Sequence, residues 1–286
     1  MPIQASAVGG DLESRDRDID VRKTLAYAAA IGDVCRRSFE DDRLDGIVAP
    51  PSYCVSLEWQ VVISGRSRSL LGATADEVRR GVHAAQDSTF HRPIRPGDQL
   101  RTSGRVVAVE PTAAGALCLT KFETVDRNTG KPVATSWSTS IYRSVTVEGV
   151  PERLEEAPPI PSLSEPPATE SVEISIAREM PHVYSECADI WNPIHTERAV
   201  ALAAGLPDII LHGTATWALA GREIVRRFCD GDPLRLRRLC GRFRAMVIPG
   251  TSITVTLGRD SGGAVRFAVL NDRGDEAISA GYAVVD

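Results

Sequence analysis

The stretch "ECADIWNPIHTERAVALAAGLPDIILHGTATWALA", residues 186–220, places two histidines beside helix-start signals. Asn192-Pro193 predicts a helix start, because asparagine is a favoured N-cap and proline fits the first helical position. His195 then falls in the first turn, where the helix dipole disfavours a cation, so its imidazole is expected to be neutral near pH 7. A neutral imidazole can take a proton from water or from a carbon acid. A surface histidine behind a plain cap is the alternative.

The second histidine precedes another predicted helix. An apolar run, residues 209–211, leads into His212-Gly213-Thr214. Backbone N–H groups at a helix N-terminus are free to bind a developing oxyanion, and glycine lets a ligand oxygen approach the backbone. His212 is either a ligand contact or a packed residue. A neutral base and an oxyanion site together suit proton chemistry next to a carbonyl.

Outside this stretch, the chain is organised as two similar halves. Pro96-Gly97 recurs as Pro249-Gly250, and alternating apolar and polar residues typical of strands follow each pair. The segments "DRNTGK" (126–131) and "NDRGDE" (271–276) predict hairpin turns, because they place asparagine, aspartate and glycine in turn positions. Each half is therefore expected to contain an antiparallel meander.

Helical patterns precede the strands in both halves. Residues 20–39 carry this pattern in the first half, and residues 194–205 and 214–228 carry it in the second. The predicted fold class is α+β, with one long helix in each half wrapped by a curved antiparallel sheet.

Proline-rich sequence divides the halves. Six prolines lie between Pro151 and Pro167, and proline stiffens the chain and removes a backbone donor, so an extended linker is expected. The predicted organisation has four parts: a flexible N-terminal tail (1–19), an N-terminal domain (20–146), a linker (147–172) and a C-terminal domain (173–286).

The bulk composition narrows the function classes. A net charge of −5 argues against nucleic acid as the main partner, and no apolar run approaches the ~20 residues that span a bilayer. The N-terminal residues lack a secretory-signal pattern. Six cysteines without CxxC spacing disfavour a zinc site and a disulfide framework. A cytoplasmic protein is expected.

The motif Y…D-x-N-P-x-H followed by L-H-G resembles the MaoC-like hydratases and dehydratases, which include the R-specific enoyl-CoA hydratases. The match is tight over residues 184–219, and looser matches cover residues 83–100 and 242–253. The resemblance implies a double hotdog: two hotdog repeats, each a long helix wrapped by a curved sheet. It also implies that water is added to, or removed from, the 2,3 position of an acyl thioester on CoA or acyl carrier protein. No metal or redox cofactor is implied.

In that family an Asp and a His hold the catalytic water, and a glycine amide binds the thioester carbonyl oxygen. By resemblance, His195 matches the histidine, Asn192 the asparagine beside it, and Gly213 the glycine. The resemblance and the helix-start argument together suggest substrate contacts for Asn192, His212 and Thr214.

The catalytic aspartate does not match. Its position holds Ile190, and Asp189 stands one residue earlier, where the family usually has glycine. A one-residue bulge would bring Asp189 beside His195, which makes it the predicted partner. Glu186 is a second candidate, and both residues can equally be loop charges.

Two further predictions concern substrate binding. Arginines at 235–244, Arg242 among them, offer cations for the carrier's phosphates, with surface solvation as the alternative. In the N-terminal half, "IVAPPSY" (47–53) stands where the second half has "ILHGTAT", with no histidine. A pseudo-site is therefore predicted there, with an emptied interior that could house the acyl chain.

The leading prediction is an (R)-type 2-enoyl-thioester hydratase or 3-hydroxyacyl-thioester dehydratase, acting as a homodimer. Two alternatives remain open: a specialised biosynthetic dehydratase or isomerase with an altered catalytic pair, and a non-catalytic subunit that holds acyl thioesters. A hotdog thioesterase is disfavoured, because the N-P-I-H and L-H-G motifs fit the hydratases better.

Overall fold

A computed structural model describes residues 1–67, 70–162 and 169–286, without the side chains of residues 65–67, 75 and 78. The α-helices of these residues are α1 (Val21–Ala30), α2 (Arg36–Phe39), α3 (Cys54–Ser67), α4 (Ala75–Arg79), α5 (Met180–Cys187), α6 (Arg198–Ala203) and α7 (Gly213–Phe228).

The strands are mostly long and antiparallel. They are β1 (Ile3–Gln4), β2 (Arg15–Asp18), β3 (Gly81–Phe90), β4 (Gln99–Thr112), β5 (Gly115–Asp126), β6 (Pro132–Arg143), β7 (Val147–Glu148), β8 (Glu152–Arg153), β9 (Glu170–Ser175), β10 (Leu236–Phe243), β11 (Ser252–Arg259), β12 (Val265–Leu270) and β13 (Glu276–Val285). Both predicted hairpin turns are confirmed, since residues 126–131 join β5 to β6 and residues 271–276 join β12 to β13.

The chain forms two compact units that do not follow the sequence halves. Unit 1 comprises Met1–Arg17, Leu57–His91 and Gln99–Ile160, and unit 2 comprises Asp18–Ser56, Arg92–Asp98 and Pro161–Asp286. The segment 18–56 therefore groups with the C-terminal half, which differs from the predicted boundary that placed it in an N-terminal domain of residues 20–146.

Unit 1 is an antiparallel sheet in the order β2-β4-β5-β6-β3, with β8 added beside β4. Its long helix is α3, which was not predicted. The sequence "CVSLEWQVVISGRS" contains several β-branched residues and serines and lacks a start signal, so helix propensity is weak. Burial of one face overrides that propensity: Leu57 is 4% exposed and Val61 is fully buried.

Unit 2 repeats the same plan with the strand order β10-β13-β12-β11-β9. The central helix is α7, which packs on β10, β12 and β13. Trp217, Ala218 and Ala220 are fully buried in this helix. The small alanines allow the sheet to approach closely, while Trp217 supplies bulk, so the region 214–228 forms the long core helix that was predicted.

The two Pro-Gly turns show the internal repeat directly. The Gly97 amide donates to Ile19 O and the Gly250 amide donates to Ile176 O, each at 2.7 Å. Both glycines have positive φ, +91° and +88°, which glycine adopts without a steric penalty. Ile19 precedes α1 and Ile176 precedes α5, so α1 corresponds to α5. The predicted match of residues 20–39 with the two later helical segments is wrong.

The predicted flexible tail is instead structured. Ile3 is fully buried, and β1 pairs in parallel with β7. Ile3 and Ala7 belong to a hydrophobic cluster with Val106, Val109 and Tyr142 of the sheet. The polar composition of residues 1–19 concealed these few apolar side chains, whose burial is sufficient to order the segment.

The predicted linker, residues 147–172, also contains paired strands. β7 pairs with β1 and β8 pairs with β4, and β9 begins at Glu170. Prolines remove their own amide donors only, so the intervening residues keep the groups that a strand needs. Residues 163–168 of the predicted linker lie outside the described residues.

Candidate active site

His195 lies on a short turn rather than in the first turn of an α-helix. Pro193–His195 forms a 3-10 helix capped by Asn192, whose side chain accepts from the Ile194 amide at 3.5 Å. The following α-helix, α6, begins only at Arg198. The predicted cap is present, but the predicted helix dipole at His195 is not, because a single 3-10 turn has too few aligned peptide units.

The His195 imidazole is held as a neutral base. Its Nδ1 lies 2.8 Å from the Ile210 carbonyl oxygen. A carbonyl can only accept, so Nδ1 carries the proton and Nε2 keeps a free lone pair. Burial lowers the pKa of His195 to about 4, opposed by the Ile210 carbonyl. The imidazole is therefore neutral near pH 7, as predicted, although burial and not the helix dipole is the cause.

His212 lies against His195. The two rings stack with their centroids 3.7 Å apart and their planes 23° apart. His212 Nε2 lies 3.2 Å from the Ile190 carbonyl oxygen and 3.1 Å from Ser185 Oγ, so Nε2 carries the proton. Burial, and then the charge of a protonated His195, lower the pKa of His212 well below its usual value. His212 is thus a packed residue that supports His195, one of the two predicted alternatives.

Gly213 is the first residue of α7, directly after His212. His212 gives no side-chain cap to this helix, and in the described part of the chain neither the Gly213 nor the Thr214 amide has a hydrogen-bond partner. A Cβ on Gly213 would lie 3.1 Å from Phe243 Cδ1. Uncapped amides at the start of a 16-residue helix can donate to an oxyanion, and the oxyanion site at Gly213 stays a prediction.

Asp189 forms no hydrogen bond or ion pair with His195 in the described part of the chain. Its carboxylate forms an ion pair with Lys23 of α1, with Nζ and Oδ1 2.6 Å apart. Ile190 is 5% exposed, and its carbonyl faces His212. Among the described residues no carboxylate forms a hydrogen bond or ion pair with His195. Asp189 has a left-handed backbone, with φ +54°, and its carboxylate reaches Lys23 of α1 and not His195.

The other charged residues that were predicted for the site, Glu186 and the arginines of 235–244, lie on different elements of unit 2. Glu186 is exposed at the end of α5. Arg242 is exposed on β10, in register with Ser279 of β13. Arg235 and Arg237 pair with acidic groups of Asp230 and the C-terminal Asp286. Two of the five predicted phosphate-binding arginines are therefore engaged in local ion pairs.

The N-terminal pseudo-site and its acyl-chain cavity stay predictions. The segment 47–53 does precede the central helix of unit 1, as "ILHGTAT" precedes α7. Within unit 1, Gln86 Nε2 donates to the buried Glu58 carboxylate and to Ser88 Oγ, both at 2.9 Å, and Ser88 contacts Ser136. This buried polar network joins α3 to strands β3 and β6.

Three residues of the site were missed from the sequence. Ser185 contacts His212, Phe243 lies beside Gly213, and Lys23 pairs with Asp189. Ser185 stands one residue after Tyr184 in the quoted motif and could have been included. Lys23 lies 166 residues before Asp189 and has no local signal.

Comparisons with known proteins identify the class. Residues 163–279 match the model of the MaoC like domain, and residues 6–136 match that of the FAS1-like dehydratase domain region. The fold superposes on a MaoC-like dehydratase from Phytophthora capsici with a TM-score of 0.84 and 22% identity, covering 98% of each chain. This is the double hotdog fold that the sequence predicted.

Sequence relatives agree with the fold. The chain is 25% identical to the "Probable enoyl-CoA hydratase 2" of Dictyostelium discoideum over 93% of this chain and 90% of that protein. It is 27% identical to the Drosophila melanogaster peroxisomal multifunctional enzyme type 2, over 96% of this chain but 47% of that longer protein. The chain thus carries a MaoC like domain and a FAS1-like dehydratase domain region, which confirms the predicted resemblance. No helix of the described residues is long and apolar enough to cross a membrane.

Proposed function

We propose that this chain is an (R)-type 2-enoyl-thioester hydratase, or a 3-hydroxyacyl-thioester dehydratase when it runs in reverse. The observation that carries the proposal is His195, a half-buried neutral imidazole with a free Nε2, which stacks on His212, the residue before the uncapped helix start at Gly213. The names of the relatives, hydratases and a dehydratase, support the same reaction class.

The geometry favours a single base. In hydration, His195 Nε2 takes a proton from water as the water oxygen attacks C3 of the enoyl thioester. The electron pair moves to the thioester oxygen, and the enolate accepts hydrogen bonds from the Gly213 amide region. The imidazolium then delivers the proton to C2. The proton taken from water is the proton added to carbon, so no second acid or base is required. The reaction therefore needs no carboxylate at the family's aspartate position, which is Ile190 in this chain.

Burial suits this cycle. An imidazolium is disfavoured in a desolvated site, which is why the pKa of His195 is lowered to about 4. The imidazolium is therefore a short-lived carrier, and the adjacent enolate charge stabilises it until the proton reaches C2. Desolvation makes His195 a weak base in the ground state. The preorganised oxyanion donors compensate by stabilising the enolate.

The substrate is proposed to be an acyl thioester of CoA or acyl carrier protein, and the protein a cytoplasmic homodimer. The second candidate is a non-catalytic acyl-thioester-binding subunit. The specific observation in its favour is that the family's catalytic carboxylate is replaced by a buried isoleucine, Ile190, while Asp189 is paired with Lys23.

Purified protein mixed with crotonyl-CoA is expected to show loss of the enoyl-thioester absorbance, with (R)-3-hydroxybutyryl-CoA as product by chiral analysis. Because hydration is reversible, the same enzyme should regenerate the enoyl thioester from the (R) and not the (S) alcohol. Binding of enoyl thioesters of several chain lengths without turnover would instead identify the binding subunit.

A further inference from the structure

We propose that Lys23 and Asp189 act together as a positioning pair that holds the loop of the catalytic histidine, and that Asp189 transfers no proton. The inference rests on the proposed function, because it assigns a role within the same site. It makes Lys23, from the N-terminal third of the chain, a determinant of turnover.

The backbone conformation at Asp189 helps to bring its carboxylate to Lys23. Asp189 has φ +54°, a left-handed conformation that is uncommon for residues other than glycine, although aspartate tolerates it better than most. Side chains of consecutive residues leave the backbone in different directions. A carboxylate one residue earlier than the family's therefore reaches Lys23 Nζ at 2.6 Å.

Lys23 is attached to a firmly anchored helix. Asp20 caps α1 by accepting from the Lys23 amide at 2.7 Å. About one turn after Lys23, Tyr27 is fully buried, and its hydroxyl donates to the Ser52 carbonyl at 2.9 Å. The Tyr27 ring also contacts Tyr184 of α5, with centroids 5.9 Å apart. Lys23 thus presents its charge from a fixed position.

The pair is connected to the catalytic base through two residues, Ile190 and His212. Ile190, directly after Asp189, directs its carbonyl to His212 Nε2 at 3.2 Å, and His212 stacks on His195. Any rotation of the backbone at Asp189 moves the Ile190 carbonyl and hence the acceptor that orients His212. The Lys23–Asp189 ion pair opposes that rotation, and both side chains are only about a quarter exposed, 27% and 28%, so solvent screens the pair incompletely.

The alternative is that Asp189 is the family's proton-transfer carboxylate, displaced by one residue. An ion pair with Lys23 favours the charged carboxylate. A proton-transfer role would require the aspartate to leave Lys23 in each cycle. The loss of Lys23 distinguishes the two roles. If Asp189 transfers protons, the loss of Lys23 releases its carboxylate for catalysis. If the pair positions the loop, the loss of Lys23 disables the pair and lowers turnover.

The test is a double-mutant cycle of kcat/KM on crotonyl-CoA with Lys23→Met, Asp189→Asn and the double variant. We expect each single variant to lose about tenfold, and the double variant to be no worse than either, because residues in contact are strongly non-additive. Lys23→Arg should retain most of the activity. All variants should keep the shape of the wild-type pH–rate profile, since no titrating catalytic group is removed.

Lys121→Met is the matched control, because it removes another lysine, which pairs with Glu155 at 2.9 Å in unit 1. It should keep wild-type kcat/KM. The proposal is overturned if Asp189→Asn loses far more activity than Lys23→Met or removes a limb of the pH profile, or if the variants lower Tm but leave kcat/KM unchanged. A wild-type protein without turnover on any enoyl thioester would defeat the proposed function instead.

Discussion

Replacement of His195 by glutamine is expected to lower kcat/KM for crotonyl-CoA by about 10³-fold, within the ~10²–10⁴ range of general acid–base catalysis. The glutamine amide can replace the Nδ1 donor to the Ile210 carbonyl, but it has no basic nitrogen in place of Nε2. The loss should fall mainly on kcat, since the base acts in the transition state. Initial rates from the enoyl-thioester absorbance measure it.

The matched control is His91→Gln in unit 1, where an exposed ring lies 2.9 Å from Thr135 Oγ1. This variant should keep wild-type rates. If His195→Gln retained more than a tenth of wild-type activity with unchanged circular dichroism, another group would have to be the base.

Gly213→Ala is expected to lower kcat by about 10²-fold, close to the loss of one oxyanion-hole donor. The new Cβ would lie 3.1 Å from Phe243 Cδ1, so the helix start or the phenyl ring must shift by a few tenths of an ångström. The methyl group also crowds the approach of the thioester oxygen to the amides of Gly213 and Thr214. Steady-state kinetics on crotonyl-CoA separate this effect from a change in KM.

Gly262→Ala is a suitable comparison, because Gly262 is exposed and its new Cβ would meet only the Asp260 side chain, at 3.3 Å. The Gly262→Ala variant should keep the wild-type kcat. Wild-type kcat in Gly213→Ala would show that the enolate oxygen is bound elsewhere.

The features that could be predicted from the sequence are those encoded by neighbouring residues. The Pro-Gly turns at 96–97 and 249–250, the hairpins after β5 and β12, and the start of α7 at Gly213 all depend on local backbone preferences. The neutral state of His195 was predicted from the wrong cause. The helix dipole argument needed a long helix, and the chain forms a 3-10 turn there instead.

The features that could not be predicted depend on contacts between distant residues. Helix α3 has little intrinsic helix propensity and is stabilised by burial of Leu57 and Val61. The direction of the Asp189 carboxylate depends on a backbone angle and on Lys23, 166 residues earlier in the chain. The N-terminal segment is ordered because Ile3 reaches a core built by later strands.

The pH dependence of kcat/KM tests the central claim, a single half-buried histidine base, most directly. Because the pKa of His195 is lowered to about 4, its base form is present throughout the neutral range. The imidazole of the unfolded chain titrates near 6.5, so the folded state loses stability as the pH falls from about 6.5 to about 4. Circular dichroism must therefore confirm at each pH that the protein is folded. We predict a flat profile from pH 8 to about 5, with activity falling only below that. A decline centred near pH 6.5, or a limb that disappears in Asp189→Asn, would contradict the account.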